Sequence, residues 1–304
     1  MPSYRARLAK LIGRFNRKFV MATFYPISYQ RFITSEIAPR LIRPGALCEC
    51  RPVSGCGVPA AWAVPTEASD GRAILYLHGG GYAIGSLSSH RSLVEQIAVA
   101  AGCPALMIDY RLAPESRFPA AVEDAIAAYE WLLSQGVEAQ NIIIAGDSAG
   151  GGLSVAAMLS LRDSGRPLPA AAVLLSPWVD IELSGGSVKG KAAEDPMLEA
   201  KGLSKWGRLY AGDSDPRDPL MSPIHARLDG LPPMMIQVGS CEILLDDSRR
   251  LALRAAEAGV TVELDIWDGM FHVWQAFSPF VPESKAAIQK IGAFCRDAFA
   301  GCVS

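Results

Sequence analysis

A serine set between glycines, Gly146-Asp147-Ser148-Ala149-Gly150, directly follows an apolar run, Ile142 to Ala145, and leads into an alanine-rich stretch from Leu153 onward. A serine at a tight strand-to-helix turn presents its hydroxyl at the end of a sheet, where it can attack an acyl carbon. The flanking glycines let strand and helix pass without a Cβ clash, and the helix N-terminus favours the negative charge that develops during acyl transfer. Upstream, His78-Gly79-Gly80-Gly81-Tyr82 follows a second apolar run, Ala73 to Leu77. Consecutive glycines can turn the N–H groups of Gly79, Gly80 and Gly81 toward one point. With the N–H of Ala149 they are expected to hold the oxygen of a tetrahedral intermediate. A phosphate-binding loop is the competing reading. It fails because no Lys-Ser/Thr pair follows and the spacing is not Gly-x-Gly-x-x-Gly.

A serine nucleophile needs a base and a carboxylate to orient it. Of the four histidines, His78 belongs to the glycine loop, His90 to the start of a helix and His225 to the loop after Ser222-Pro223. His272 alone follows both the serine and a suitable acid, in the chain order Ser, Asp/Glu, His. It also lies just after an apolar run, 262–267. The acid is expected after the run 234–238, where Glu242, Asp246 and Asp247 are the candidates. Glu242 is preferred as the nearest to the strand end, with Asp246 second.

These residues need a scaffold that gathers loop ends. Strand-like runs at 47–53, 59–64, 73–77, 105–109, 142–145, 172–175, 234–238 and 262–267 alternate, from the third onward, with helical stretches near 89–101, 119–134, 148 onward, 244–258 and 283–299. The alternation predicts an α/β class, with a mostly parallel sheet covered by helices on both faces. Ligands in such sheets bind beyond the carboxyl ends of the strands, where all the motifs above fall. No repeat or linker divides the chain, so residues 1–304 read as one domain. Two segments, 1–45 and about 180–220 with a candidate helix at 197–210, read as a cap over that edge.

A formal net charge of −2 and the absence of basic tracts exclude a nucleic-acid partner from the expectation. The seven cysteines are irregularly spaced, and Cys48-Glu49-Cys50 lacks the partners of a metal site, so the reading is reduced thiols, no metal and a cytoplasmic location. No run of about 18 apolar residues is present, so no membrane-spanning helix is expected. Near the N-terminus, Tyr4, Leu8, Leu11, Ile12, Phe15 and Phe19 recur at helical spacing among Arg5, Arg7, Lys10, Arg14, Arg17 and Lys18. The interleaved charges exclude a secretory signal. A helix packing its apolar side on the rest of the protein is preferred over one lying on a membrane surface.

The motifs together resemble those of bacterial hormone-sensitive-lipase-like (family IV) carboxylesterases, which have an α/β-hydrolase fold. The likeness rests on His78-Gly79-Gly80-Gly81, on Tyr110-Arg111-Leu112-Ala113-Pro114-Glu115 followed by Phe118-Pro119-Ala120-Ala121, on Gly146-Asp147-Ser148-Ala149-Gly150-Gly151, and on Asp218-Pro219-Leu220-Met221-Ser222-Pro223. The resemblance covers the chain from about residue 46. It implies an eight-stranded sheet, an N-terminal helical cap, ester hydrolysis without metal or cofactor, and oxyanion donors at Gly80, Gly81 and Ala149. Many such proteins are homodimers. One departure is Glu242-Ile243-Leu244 where Asp-Pro-Leu is common. Relatives that bind small ligands without hydrolysis lack the histidine, which His272 supplies here.

Arg111 and Glu115 are expected to form an ion pair that fixes their loop, and Asp147 and Asp180 to orient theirs. Phe15, Phe19, Phe24, Tyr25, Trp206 and Tyr210 are expected to pack cap on core, some of them walling an apolar pocket. A short cap suits small-molecule esters with acyl groups of about C2 to C8. An amidase or N-formamidase using the same residues is the alternative chemistry.

Overall fold

The computed structural model describes residues 2–19, 21–41, 47–278 and 280–303; residues 1, 20 and 42–45 of the expected N-terminal segment lie outside them. Eight strands form one sheet: β1 (Cys48–Val53), β2 (Ala60–Pro65), β3 (Ala73–Leu77), β4 (Ala105–Ile108), β5 (Ile142–Asp147), β6 (Ala171–Leu175), β7 (Met234–Gly239) and β8 (Val262–Trp267). Their spatial order is β1-β2-β4-β3-β5-β6-β7-β8. β1 pairs antiparallel with β2, and β2 antiparallel with β4, while every pairing from β4 through β8 is parallel.

The central strands are apolar throughout because both faces of the sheet are covered. Alternate residues divide between the two layers, as the two-residue period of a strand requires. Leu75, Leu77, Ile142 and Ile144 pack against the helices Ala120–Ser134 and Ala149–Asp163. Ile74, Tyr76, Ile143 and Ala145 face the helices Leu87–Ala101 and Pro282–Phe299. Leu87–Ala101 is started by Ser86, whose hydroxyl accepts the Ser89 N–H while the Ser89 hydroxyl accepts the Ser86 N–H, and is ended by Gly102 in the left-handed region.

The N-terminal helix Tyr4–Phe19 departs from expectation. Its buried residues are Ala6, Ala9 and Gly13, whereas Tyr4, Leu8, Leu11, Ile12, Phe15 and Phe19 are exposed. Ala6 and Ala9 join a cluster with Met270, Phe271 and Trp274, and Gly13 fits against the Met197 side chain. Small residues permit this close approach, so the row that seats the helix is the small one. After it, Ile27–Arg31 runs through a π-helical turn, Phe32–Ile37, into Ala38–Leu41. Pro39 has no N–H for the Ser35 carbonyl four residues back, and that oxygen accepts the Ser88 hydroxyl instead at 2.6 Å.

Arg31 holds this segment to the sheet edge. Its guanidinium donates to the carbonyls of Ala83 and Ala113 and to both carboxylate oxygens of Glu115. Arg111 and Glu115 therefore do not pair with each other, contrary to expectation. Arg111 instead binds Asp124 and Glu123 on the helix that follows, because its Nε lies 2.9 Å from Asp124 Oδ1. Asp180 accepts the N–H groups of Glu182 and Ser184 and pairs with Arg250 at 2.9 Å. Among the described residues, no helix is long and apolar enough to cross a membrane.

Candidate active site

Ser148 closes β5 and caps the helix Ala149–Asp163, with φ 54° and ψ −120°. An L-residue at such a φ is costly, by about 1 to 3 kcal/mol, and persists only where its surroundings hold it. Here its N–H donates to the Leu175 carbonyl at 2.8 Å, and its own carbonyl accepts the Trp178 N–H at 2.9 Å. The turn closes only because Gly150 has no side chain: a Cβ there would overlap the Leu77 carbonyl oxygen. Among the described residues, five non-glycine positions have positive φ, and four of them, Tyr82, Ser148, Ser176 and Val273, lie in the loops gathered at this sheet edge.

His272 follows β8 and Glu242 follows β7; His272 Nδ1 lies 2.8 Å from Glu242 Oε2, and both side chains are buried. An acceptor carboxylate at Nδ1 fixes that nitrogen as the N–H and leaves Nε2 as the free base. Burial alone would depress the His272 pKa. The Glu242 hydrogen bond and charge, helped by Asp195 and Asp147, carry it above the ordinary imidazole value. Glu242 Oε1 is also filled, accepting the Gly239 N–H at 2.6 Å and the Ser176 hydroxyl at 2.9 Å. The other two candidate acids are committed elsewhere: Asp246 accepts the Ser187 N–H, and Asp247 the N–H groups of Val179 and Asp180.

In the glycine loop, Gly80 and Gly81 have φ of 121° and 60°. Among the described residues, the N–H groups of Gly80, Gly81 and Ala149 donate to no protein acceptor. Gly79 differs, and here the expectation of a third loop donor is corrected. Its N–H donates to Asp147 Oδ1 at 3.0 Å and is thereby used, and a Cβ at this position would overlap the same carboxylate.

The chain is similar to several known proteins. Residues 74–276 match the alpha/beta hydrolase fold family. An acetyl-hydrolase of Streptomyces hygroscopicus is 50% identical over 239 residues, 79% of this chain and 80% of that protein. An esterase of Acinetobacter venetianus is 36% identical over 271 residues, covering 85% and 89% of the two chains. A solved esterase from the bacterial hormone-sensitive lipase family superposes with a TM-score of 0.93 at 43% identity, over 98% of this chain and all of that one. The chain belongs to the hormone-sensitive-lipase-like α/β-hydrolases.

Several supporting residues of this hydrolase carry no motif. Ser176, at the end of β6, joins both sides of the site. Its hydroxyl donates to Glu242 Oε1 and accepts the Val273 N–H at 3.2 Å, while the residue before it, Leu175, holds the N–H of Ser148. Asp195 is buried, and its carboxylate accepts the N–H groups of Met197, Leu198 and Ile243, the last at 2.8 Å and one residue past Glu242. Arg17 of the N-terminal helix donates to the Asp195 carbonyl at 2.6 Å.

Around the hydrolase's glycine loop, Asp147 accepts the Tyr76 hydroxyl at 2.8 Å and lies 3.4 Å from His90 Nε2. Burial opposes its charge, yet His90, Tyr76 and His78 hold the carboxyl below its ordinary pKa. His78 lies between the rings of Tyr110 and His90, donates from Nδ1 to the Gly79 carbonyl at 2.7 Å, and is pushed down to about 3 chiefly by burial. His225 stands apart, 3.8 Å from Glu182.

The aromatic residues expected to pack cap on core divide in two. Trp206 lies on Gly81, where a Cβ would overlap its ring, and Tyr210 stacks on Tyr82 at 3.8 Å. Phe15, Phe19 and Phe24 are exposed, and Tyr25, half-buried, lies against the rings of Phe24 and Tyr29.

Proposed function

We propose that this chain is a serine carboxylesterase that hydrolyses short- to medium-chain esters through an acyl-enzyme intermediate. The observation that carries the reading is the buried His272–Glu242 hydrogen bond at 2.8 Å, at the same sheet edge as the Ser148 turn. In this mechanism His272 Nε2 takes the Ser148 proton as Oγ attacks the ester carbonyl carbon. The resulting oxyanion accepts from Gly80, Gly81 and Ala149, each such donor typically lowering the barrier by ~3 kcal/mol. Collapse breaks the ester C–O bond, and the alcohol leaves with the proton from His272. Water then attacks the acyl-serine by the same route and releases the acid. Glu242 keeps the imidazole oriented and stabilises its protonated form.

The segments 1–45 and about 180–220 act in this reading as a cap, contributing Trp206 beside the glycine loop. The Trp206 ring packed on Gly81, beside the oxyanion donors, supports a short acyl or alcohol group. So does the acetyl-hydrolase name of a relative. The free thiols support a cytoplasmic location.

The test is a chain-length series of p-nitrophenyl esters run beside matched amides and N-formyl compounds. Peak turnover is expected between about C2 and C8 with amides far slower. A peak at C14 or longer would refute the chain-length assignment, and faster amide turnover would make the protein an amidase.

A further inference from the structure

The N-terminal helix Tyr4–Phe19 has a second face that the fold does not use. Its inner row is seated on the protein through Ala6, Ala9 and Gly13. On the outer row, Tyr4 is 80% exposed, Leu11 58% and Phe15 63%, with Leu8 and Ile12 also open. The rings of Phe15 and Phe19 lie 4.5 Å apart on this row. Phe24, just beyond the helix, is exposed as well. Long apolar side chains displayed together on one helix face mark an interaction surface rather than scattered exposure.

Charge selects the partner. Tyr4–Phe19 contains six basic residues and no acidic one, in a chain whose net charge is −2. Arg7, Arg14 and Lys18 recur at a spacing that puts them in one row beside the apolar row. Among the described residues none of these three has an acidic partner, whereas Arg17, on the inner side, pairs with Glu199 at 3.6 Å. An apolar face edged by basic residues fits a surface that is apolar below and anionic at its boundary. A second copy of this chain fits less well, because a two-fold contact would set the same positive rows against each other.

We propose that the outer face of the N-terminal helix docks on an anionic membrane surface. The inner face of the same helix touches Met270 and Phe271, the two residues before His272. Docking therefore holds the loop that carries His272 beside the lipid plane, where esters that partition into the surface are concentrated. The proposal is separate from the ester reading, since docking is measured without turnover.

The experiment is co-flotation of the full-length protein with vesicles of phosphatidylglycerol and phosphatidylcholine, and with phosphatidylcholine alone. Binding to the anionic vesicles is expected to exceed binding to the neutral ones by roughly tenfold or more, and to weaken steeply in high salt. Leu11→Asp and Arg14→Glu should each weaken it by about tenfold. Both variants should keep full turnover of a soluble short-chain ester, which reports that they are folded. No flotation with anionic vesicles overturns the proposal, as does flotation that neither salt nor either substitution changes. A concentration-dependent dimer abolished by Leu11→Asp, with vesicles unbound, would also overturn it and give the face to a second copy.

Discussion

Asp147 Oδ1 accepts the backbone N–H of Gly79 at 3.0 Å, so the residue before the serine is tied directly to the glycine loop. One carboxylate thus sets the distance between the Ser148 turn and the glycine loop. It also uses the Gly79 N–H, so that of the three glycines only Gly80 and Gly81 keep an N–H with no protein acceptor among the described residues.

Replacing Asp147 with Asn keeps the shape but removes the charge and sets an amide against His90. The expected cost is about 1 to 3 kcal/mol of stability, with kcat reduced roughly tenfold. The pH dependence follows from the two shifts. A lowered carboxyl pKa stabilises the fold above the ordinary carboxyl value and loses that contribution as pH falls through the folded value. The raised His90 pKa stabilises below the ordinary imidazole value and loses its contribution as pH rises through the folded value. The stability gap between native and variant protein in urea titrations should be widest between about pH 4 and pH 6.5. A gap independent of pH would contradict the assignment.

Ser176→Ala removes a hydroxyl that donates to Glu242 and accepts from Val273. It leaves the buried carboxylate one donor short and the Val273 N–H without its acceptor. Steady-state kinetics should show kcat down about tenfold with KM nearly unchanged, the size expected for one lost hydrogen bond to a charged group. Unchanged kcat would mean that Ser176 does not position the acid–base pair.

As the proposed base, His272 must be neutral, and its pKa is raised. Turnover should therefore begin to fall on acidification above the ordinary imidazole value of about 6.5. Asp195→Asn removes one of the negative charges that raise it, so the acidic limb of the kcat/KM profile should move to lower pH. Loss of activity with no movement of the limb would give Asp195 a purely structural role.

Gly81→Ala would require a side chain at φ 60°, with its Cβ overlapping the Trp206 ring. The loop would have to shift, and the Gly81 donor with it. The expected loss is about a hundredfold or more in kcat, the range seen when one oxyanion donor is removed. A Trp206→Ala background, which clears the space but keeps the φ demand, should recover only part of this loss.

Much of this arrangement is legible in the sequence because it is encoded locally. β3 and β5 are unbroken apolar runs that end in glycines, and the Ser148 and triple-glycine motifs stand at those ends. His272 and Glu242 follow from strand position, since each lies just past the end of a parallel strand. Ser176 and Asp195 were not legible. Nothing near either residue marks it, and each matters only because parallel pairing brings β6 and the 180–220 segment to the Glu242 loop. The glycines of the loop look equivalent as letters, and only the fold commits the Gly79 N–H to Asp147. In the N-terminal helix the large apolar residues dominate the sequence pattern, while Ala6, Ala9 and Gly13, at helical spacing, are the row that packs.

The central claim is that Ser148 is the nucleophile. Its most direct test is mass spectrometry of the native protein after reaction with a fluorophosphonate. A single adduct on the peptide carrying Ser148, absent from Ser148→Ala and accompanied by complete loss of esterase activity, is the predicted result. An unmodified Ser148, or a folded Ser148→Ala protein that still hydrolyses esters at the native rate, would contradict it.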